Sequence, residues 1–258
     1  MALPKLITPT YELEVPSTDE KIKYRPFLVK EEKILLMAME SGENKDIVQA
    51  VKDIVSECTF NKLNLGTMPM FDVEYIFLNI RAKSVGEISK LNLLCPDDKK
   101  TYSSTEINLT EVKVQVDDDH TNKIELDGGM GMIMTYPTID SFADTGIQTI
   151  TASNMLDVIS ACVLQIYEEK GKKIYEAKDQ TKKELSEFIE SMNTTQFKQV
   201  QKFFDTMPKL KHEITIKNPK TKKESKITLL FFLVLGFFIV ISCFSLGMVS
   251  KNFCTCLN

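Results

Sequence analysis

The chain has 258 residues, enough to bury a substantial core in one large domain or two small ones, and its 43% hydrophobic and 26% charged residues are those of a globular protein. A formal net charge of -4 excludes a general nucleic-acid binder, because counterion release requires a basic surface. Nor is a secretory signal present in Met1 to Pro16, which lacks a basic start and a continuous apolar stretch.

Tyr11 to Val15 and Lys21 to Phe27 alternate like strands around the turn-forming Pro16-Ser17-Thr18-Asp19, which predicts a β-hairpin. Val29 to Glu40 is predicted helical, with Ile34, Leu35, Met37 and Ala38 as its apolar stripe and Ser41-Gly42-Glu43-Asn44 ending it. A second helix, Lys45 to Cys58, places Ile47, Val48, Val51, Ile54 and Val55 on one side and should pack on the first. Val73 to Lys83 reads as a buried helix closed by Gly86.

The period then changes to that of short strands: Ile88 to Leu94, Ser103 to Leu109, Val112 to Val116, Lys123 to Leu126 and Met130 to Thr135. Turn clusters at Pro96-Asp97-Asp98, Asp117-Asp118-Asp119 and Asp127-Gly128-Gly129 separate them, so a compact antiparallel subdomain is expected. Helices return at Ser153 to Glu168, Thr181 to Ser191 and Thr195 to Thr206, and Thr181 with Glu184 has capping-box spacing. His212 to Ile216 and Lys226 to Leu230, joined through Asn218-Pro219-Lys220, form a second hairpin. Its last strand is expected to pair with the N-terminal hairpin. The fold class is α+β, divided as 1–86 (hairpin and helices), 87–136 (β-subdomain), 137–226 (helices and hairpin) and 227–250 (an apolar C-terminal helix).

That last segment is the most specific physical signal. Ile227 to Ser250 carries no charge, and about 24 residues at ~1.5 Å rise would cross the ~30 Å hydrocarbon core of a bilayer. Phe231, Phe232, Phe237, Phe238 and Phe244 are the candidate membrane-segment residues. Lys217, Lys220, Lys222, Lys223 and Lys226 precede the span and Lys251 follows it, an asymmetry that would keep the folded body in the cytoplasm as a tail-anchored protein. Alternatively Ile227 to Leu230 is an ordinary strand, and the remainder is buried by protein or read from another frame.

Residues that could carry chemistry are sparse. The two histidines, His120 and His212, have no ligand partner at helical metal-binding spacing, and Asp117 to Asp119 lacks the Gly and distal Glu of a calcium loop. Gly128, Gly129 and Gly131 are followed by strand pattern and no Lys-Ser/Thr, so they read as a tight turn instead of a phosphate cradle. Of the six cysteines only Cys254 and Cys256 lie close together, with no histidine beside them. No catalytic, metal or cofactor residue is assigned, and no cofactor is expected.

Four segments resemble the baseplate hub proteins of T-even-type contractile-tailed phages: Tyr24 to Lys33, Phe71 to Glu87, Cys95-Pro96-Asp97-Asp98, and Phe203 to Leu210. The resemblance implies a hub subunit or a transient hub-assembly factor, made in the host cytoplasm and acting through contacts with other tail proteins, without nucleic acid. The apolar tail departs from it, and as a membrane span would anchor the chain in the host inner membrane. A contact function suits charged rims around apolar anchors, with Phe27, Lys30, Glu31, Phe71, Arg81 and Lys83 as docking candidates. The competing reading makes these aromatics core and these charges solvating.

Overall fold

A computed structural model describes residues 6–141, 155–168 and 172–230, whose helices and small antiparallel sheets form an α+β fold. The described residues segregate into two units. The first takes the chain up to Leu65, Phe71–Gln115 and the chain from Lys209; the second takes Gly66–Met70 and Val116–Pro208.

The first unit opens with β1 (Tyr11–Glu14) and β2 (Lys21–Tyr24), a two-stranded hairpin with Leu13 opposite Ile22. Helices α1 (Val29–Ser41) and α2 (Asn44–Cys58) pack together, separated by Gly42, whose φ of 70° gives α1 the left-handed cap that glycine adopts without steric cost. On α2 the predicted face is buried, Ile54 and Val55 completely. On α1 half of the predicted stripe is not: Leu35 and Ala38 are buried, but Ile34 and Met37 are 42% and 59% exposed.

Helix α3 (Met70–Val85) is buried on nearly every side, as its lack of a polar face requires. Polar contacts tie it to the rest of the first unit. Asp72, fully buried, accepts hydrogen bonds from the Ser17 amide (3.1 Å) and the Ser17 hydroxyl, pinning the β1–β2 turn. The Ser84 hydroxyl accepts from the Phe27 amide at 2.9 Å.

Strands β3 (Ile88–Leu94) and β4 (Tyr102–Asn108) make a hairpin, with Leu91 and Ile107 buried. Strand β5 (Lys113–Gln115) pairs with β10 (Lys209–Lys217), which pairs with β11 (Glu224–Leu230). Two expectations are corrected here. β11 pairs with β10, and β1–β2 is a sheet by itself, so the last strand does not join the N-terminal hairpin. Ile227 to Leu230 are β11, so no helix starts at Ile227. Phe231 and the rest of the apolar run lie outside the described residues.

The second unit is a four-stranded antiparallel sheet of β6 (Lys123–Glu125), β7 (Gly131–Met134), β8 (Val163–Glu168) and β9 (Lys173–Glu176). Helices α4 (Met155–Ala161), α5 (Lys182–Glu190) and α6 (Thr194–Thr206) supply the other side of its core. Met132, Ile166, Leu185, Val200 and Phe203 meet there. Each such side chain, once buried, contributes about 1.5–3 kcal/mol of transfer free energy. The predicted capping box is present: Thr181 accepts from the Glu184 amide at 3.2 Å while Glu184 accepts from the Thr181 amide at 2.7 Å.

The helix expected over Ser153 to Glu168 is corrected. Within the described residues it ends at Ala161, and Val163–Glu168 is strand, because β7 and β9 flank it and take up its backbone groups. The strands read as one subdomain over 87–136 belong instead to three separate sheets.

Candidate functional site

Of the six docking candidates, Glu31, Phe71 and Arg81 are buried at 1%, 6% and 4% exposure, while Lys30 is exposed and Phe27 and Lys83 are half-buried. Lys83 pairs with Glu87 one turn on and lies over the Tyr11 ring at 5.4 Å. Arg81 donates to the Gly86 carbonyl at 2.9 Å, and its Nε has no hydrogen-bond partner among the described residues. Nearby in sequence, Glu74 is buried with Oε1 unpartnered, and that burial pushes its carboxyl well above the ordinary range.

Glu31 and Lys30 belong to an ionic cluster where the start of α1 meets the end of α2. Arg25, carried past β2, donates its amide to the Cys58 carbonyl at 2.9 Å, which puts a cation at the negative end of α2. Its guanidinium reaches Glu31 Oε1 at 2.8 Å and Glu57 at 3.9 Å. Lys30 closes the ring at 3.1 Å from Glu31 and 3.5 Å from Glu57. The second oxygen of Glu31 accepts from the Leu28 amide at 2.7 Å, the one half of a capping box that leucine at the N-cap leaves available. Burial alone would raise the Glu31 carboxyl, but Arg25, the Leu28 amide and Lys30 outweigh it and hold the group below its ordinary range. Cys58 shares this neighbourhood, and burial pushes its thiol up to about 11, so it stays protonated.

Apolar groups stand exposed around this cluster: Leu28 (40%), Val29 (79%) and Phe60 (44%). Val29, Lys33 and Met37 continue the exposed surface at four-residue spacing along α1. Phe60 and Asn61 adopt φ of 61° and 56°, a left-handed pair that a bulky side chain disfavours. Three interactions enforce it: the Asn61 amide donates to Ser56 O (2.8 Å), Ser56 Oγ donates to Asn61 Oδ1 (2.8 Å), and Thr59 Oγ1 donates to Val55 O (2.7 Å). Sequence reasoning missed Val29 and Phe60. The only legible signal was a phenylalanine where a helix-ending glycine would ordinarily stand.

The two histidines lie on different parts of the fold, His120 in the turn before β6 and His212 on β10. Thr206 donates its hydroxyl proton to Lys202 O (2.8 Å), so it accepts from His120 Nδ1 (2.9 Å), which leaves Nε2 to accept from the Tyr136 hydroxyl at 3.0 Å. The neutral ring stacks on Tyr136, beside Phe203. His212 lies on β10 opposite Leu229. The membrane candidates Phe231, Phe232, Phe237, Phe238 and Phe244 lie outside the described residues, and among the described residues no helix is long and apolar enough to cross a bilayer.

Compared with known proteins, residues 8–238 match the model of one family, described as T4 bacteriophage base plate protein. The chain belongs to that family. No curated protein and no solved structure matches it. The four segments whose likeness pointed toward contractile-tailed phages all fall inside the match. For a baseplate protein, a structural role exercised through contacts with other baseplate proteins makes the exposed apolar and ionic surface at the α1–α2 ends the feature of interest.

Proposed function

We propose that this baseplate protein is a subunit of the central hub and acts by docking, without catalysis, through the surface formed by Leu28, Val29, Phe60 and Lys30 against another baseplate protein. The observation that carries the reading is the strained, exposed Phe60 beside the Arg25–Glu31–Lys30–Glu57 cluster. Strain of this kind persists only where the surroundings enforce it, and an aromatic anchor inside a charged rim is the composition of an interface hot spot. Phe27, whose amide bonds Ser84 of α3, and Lys83, on α3 itself, would flank that surface, with Glu31, Phe71 and Arg81 supporting it from within.

The test is a phage carrying Val29→Asp together with Phe60→Ser. It should yield tails without complete baseplates, while the purified variant keeps the far-UV spectrum and melting profile of the parent. Normal baseplates would refute docking through this face. Mass spectrometry of purified virions separates a resident subunit from a transient assembly factor: the hub reading requires the polypeptide in the particle, and its presence in lysate alone favours the factor.

A further inference from the structure

The turn of the β3–β4 hairpin and the turn of the β10–β11 hairpin are bolted together. Asp97 accepts from Asn218 Nδ2 at 2.8 Å and from Thr221 Oγ1 at 2.5 Å, and Ser103 Oγ donates to the Lys217 carbonyl at 3.0 Å. Asn218 is 1% exposed, and its own side-chain oxygen holds the amides of Lys220 and Thr221. Asp98 is likewise turned inward, accepting from Lys100 N, Thr101 N and Thr101 Oγ1. Both carboxylates of the first turn are thus engaged within the joint.

The lysines of the same two turns point the other way. Lys99, Lys100, Lys220, Lys222 and Lys223 are all exposed. None has an ion-pair partner among the described residues, whereas Lys23, Lys30, Lys83, Lys90 and Lys123 each face a carboxylate within 4 Å. The backbone amides of all five are held, by Cys95 O, Asp98 Oδ1, Asn218 Oδ1, Asn218 O and Thr221 Oγ1 respectively. Lys99 and Lys222 even occupy left-handed backbone positions, φ 50° and 63°, where glycine or asparagine would sit with less strain. Five unpaired cations on two fixed, cross-bonded turns form a pre-organised positive surface.

We propose that the joined turns are a docking surface for an acidic protein segment of a neighbouring baseplate component. The inference rests on the baseplate reading but uses a different face from the Phe60 surface. A short acidic segment fits better than nucleic acid or lipid. The chain totals -4 with these lysines included, so the remainder is more acidic still and would repel an extended polyanion or an anionic sheet of headgroups.

The test compares two full-length variants of equal charge change. Lys99→Glu, Lys220→Glu and Lys222→Glu alter the turns; Lys178→Glu, Lys182→Glu and Lys198→Glu alter exposed lysines of the second unit. With poly-L-glutamate as the probe, the turn variant should bind at least tenfold more weakly than the parent and the control within about twofold. An equal loss in both variants would show that overall charge alone is read. Tighter binding of the parent to duplex DNA or phosphatidylglycerol vesicles, at matched charge concentration, would overturn the protein partner. Should the triple variant misfold, Lys100→Glu with Lys223→Glu avoids both left-handed positions and answers the same question. In phage, complete baseplates from the turn variant, alongside defective ones from the Val29 and Phe60 variant, would sink this inference and leave the baseplate reading standing. Complete baseplates in the absence of the whole polypeptide would remove both.

Discussion

Glu31 shows how a residue that reads as surface becomes internal. In sequence it belongs to a Lys-Glu-Glu-Lys run on the expected wet face, yet its side chain is 2% exposed because Arg25, six residues earlier and off the helix, folds over it. No spacing rule links a helix to the loop before it, so that pairing was not legible. Removing the carboxylate leaves a guanidinium that is itself only 12% exposed. Glu31→Ala should therefore cost about 3 kcal/mol, as breaking a buried pair does, read as a shift of the urea midpoint at constant slope. Because the folded-state carboxyl titrates below its ordinary value, its stabilisation is complete above the ordinary carboxylate range and is lost as pH falls through the depressed folded value. The difference between parent and Glu31→Ala should narrow on acidification and be unchanged between pH 6 and 8.

Among the elements, the β7–β8 pair carries the most specific packing. Gly131 lies opposite Tyr167 in the ladder, and a Cβ there would meet the Tyr167 hydroxyl at 2.1 Å and the Ile124 carbonyl at 2.7 Å. The tyrosine ring covers the glycine, and Lys123 lies over the ring at 5.6 Å. Gly131→Ala should displace the ring and destabilise the protein by about 1–3 kcal/mol, detectable by urea denaturation and by a changed tyrosine environment in near-UV circular dichroism. This arrangement also explains a misread element. Val158, Ile159, Cys162, Val163, Ile166 and Tyr167 fall at helical spacing, so one helix through Glu168 satisfies the periodicity. The β-branched Val163 and Ile166 suit a strand equally, and only neighbours decide. Strand β9 went unseen for a related reason: Lys173–Glu176 is four residues long with Ile174 and Tyr175 adjacent and not alternating, and pairing with β8 is what makes it a strand. By contrast α2, α5, α6 and β3 were legible from one strong period and clear end signals, and α3 from a long apolar run closed by Gly86.

At the scale of the whole molecule, the chain leaves β5 at Gln115 and returns at Lys209, and these two residues are register partners. Residues 116–208 therefore form an insertion whose ends meet across a single rung. Joining Gln115 to Lys209 through a short glycine-containing turn should leave the first unit folded, with the β5–β10–β11 ladder still protected from amide exchange; loss of that protection would show that the insertion is needed to hold it. None of this was visible in the sequence, where boundaries drawn at changes of period cut across sheets, because pairing between residues so far apart leaves no local trace.

The same rung sets an order of events in the infected cell. Lys113–Gln115 leaves the ribosome well before Lys209–Lys211, and at bacterial elongation rates the gap is roughly 5–20 s. Throughout that interval Val114 waits on an unmatched strand while the later part of the polypeptide is still being translated. The first unit must consequently close after the second has been made, and the nascent chain offers host chaperones a defined window in which to bind it.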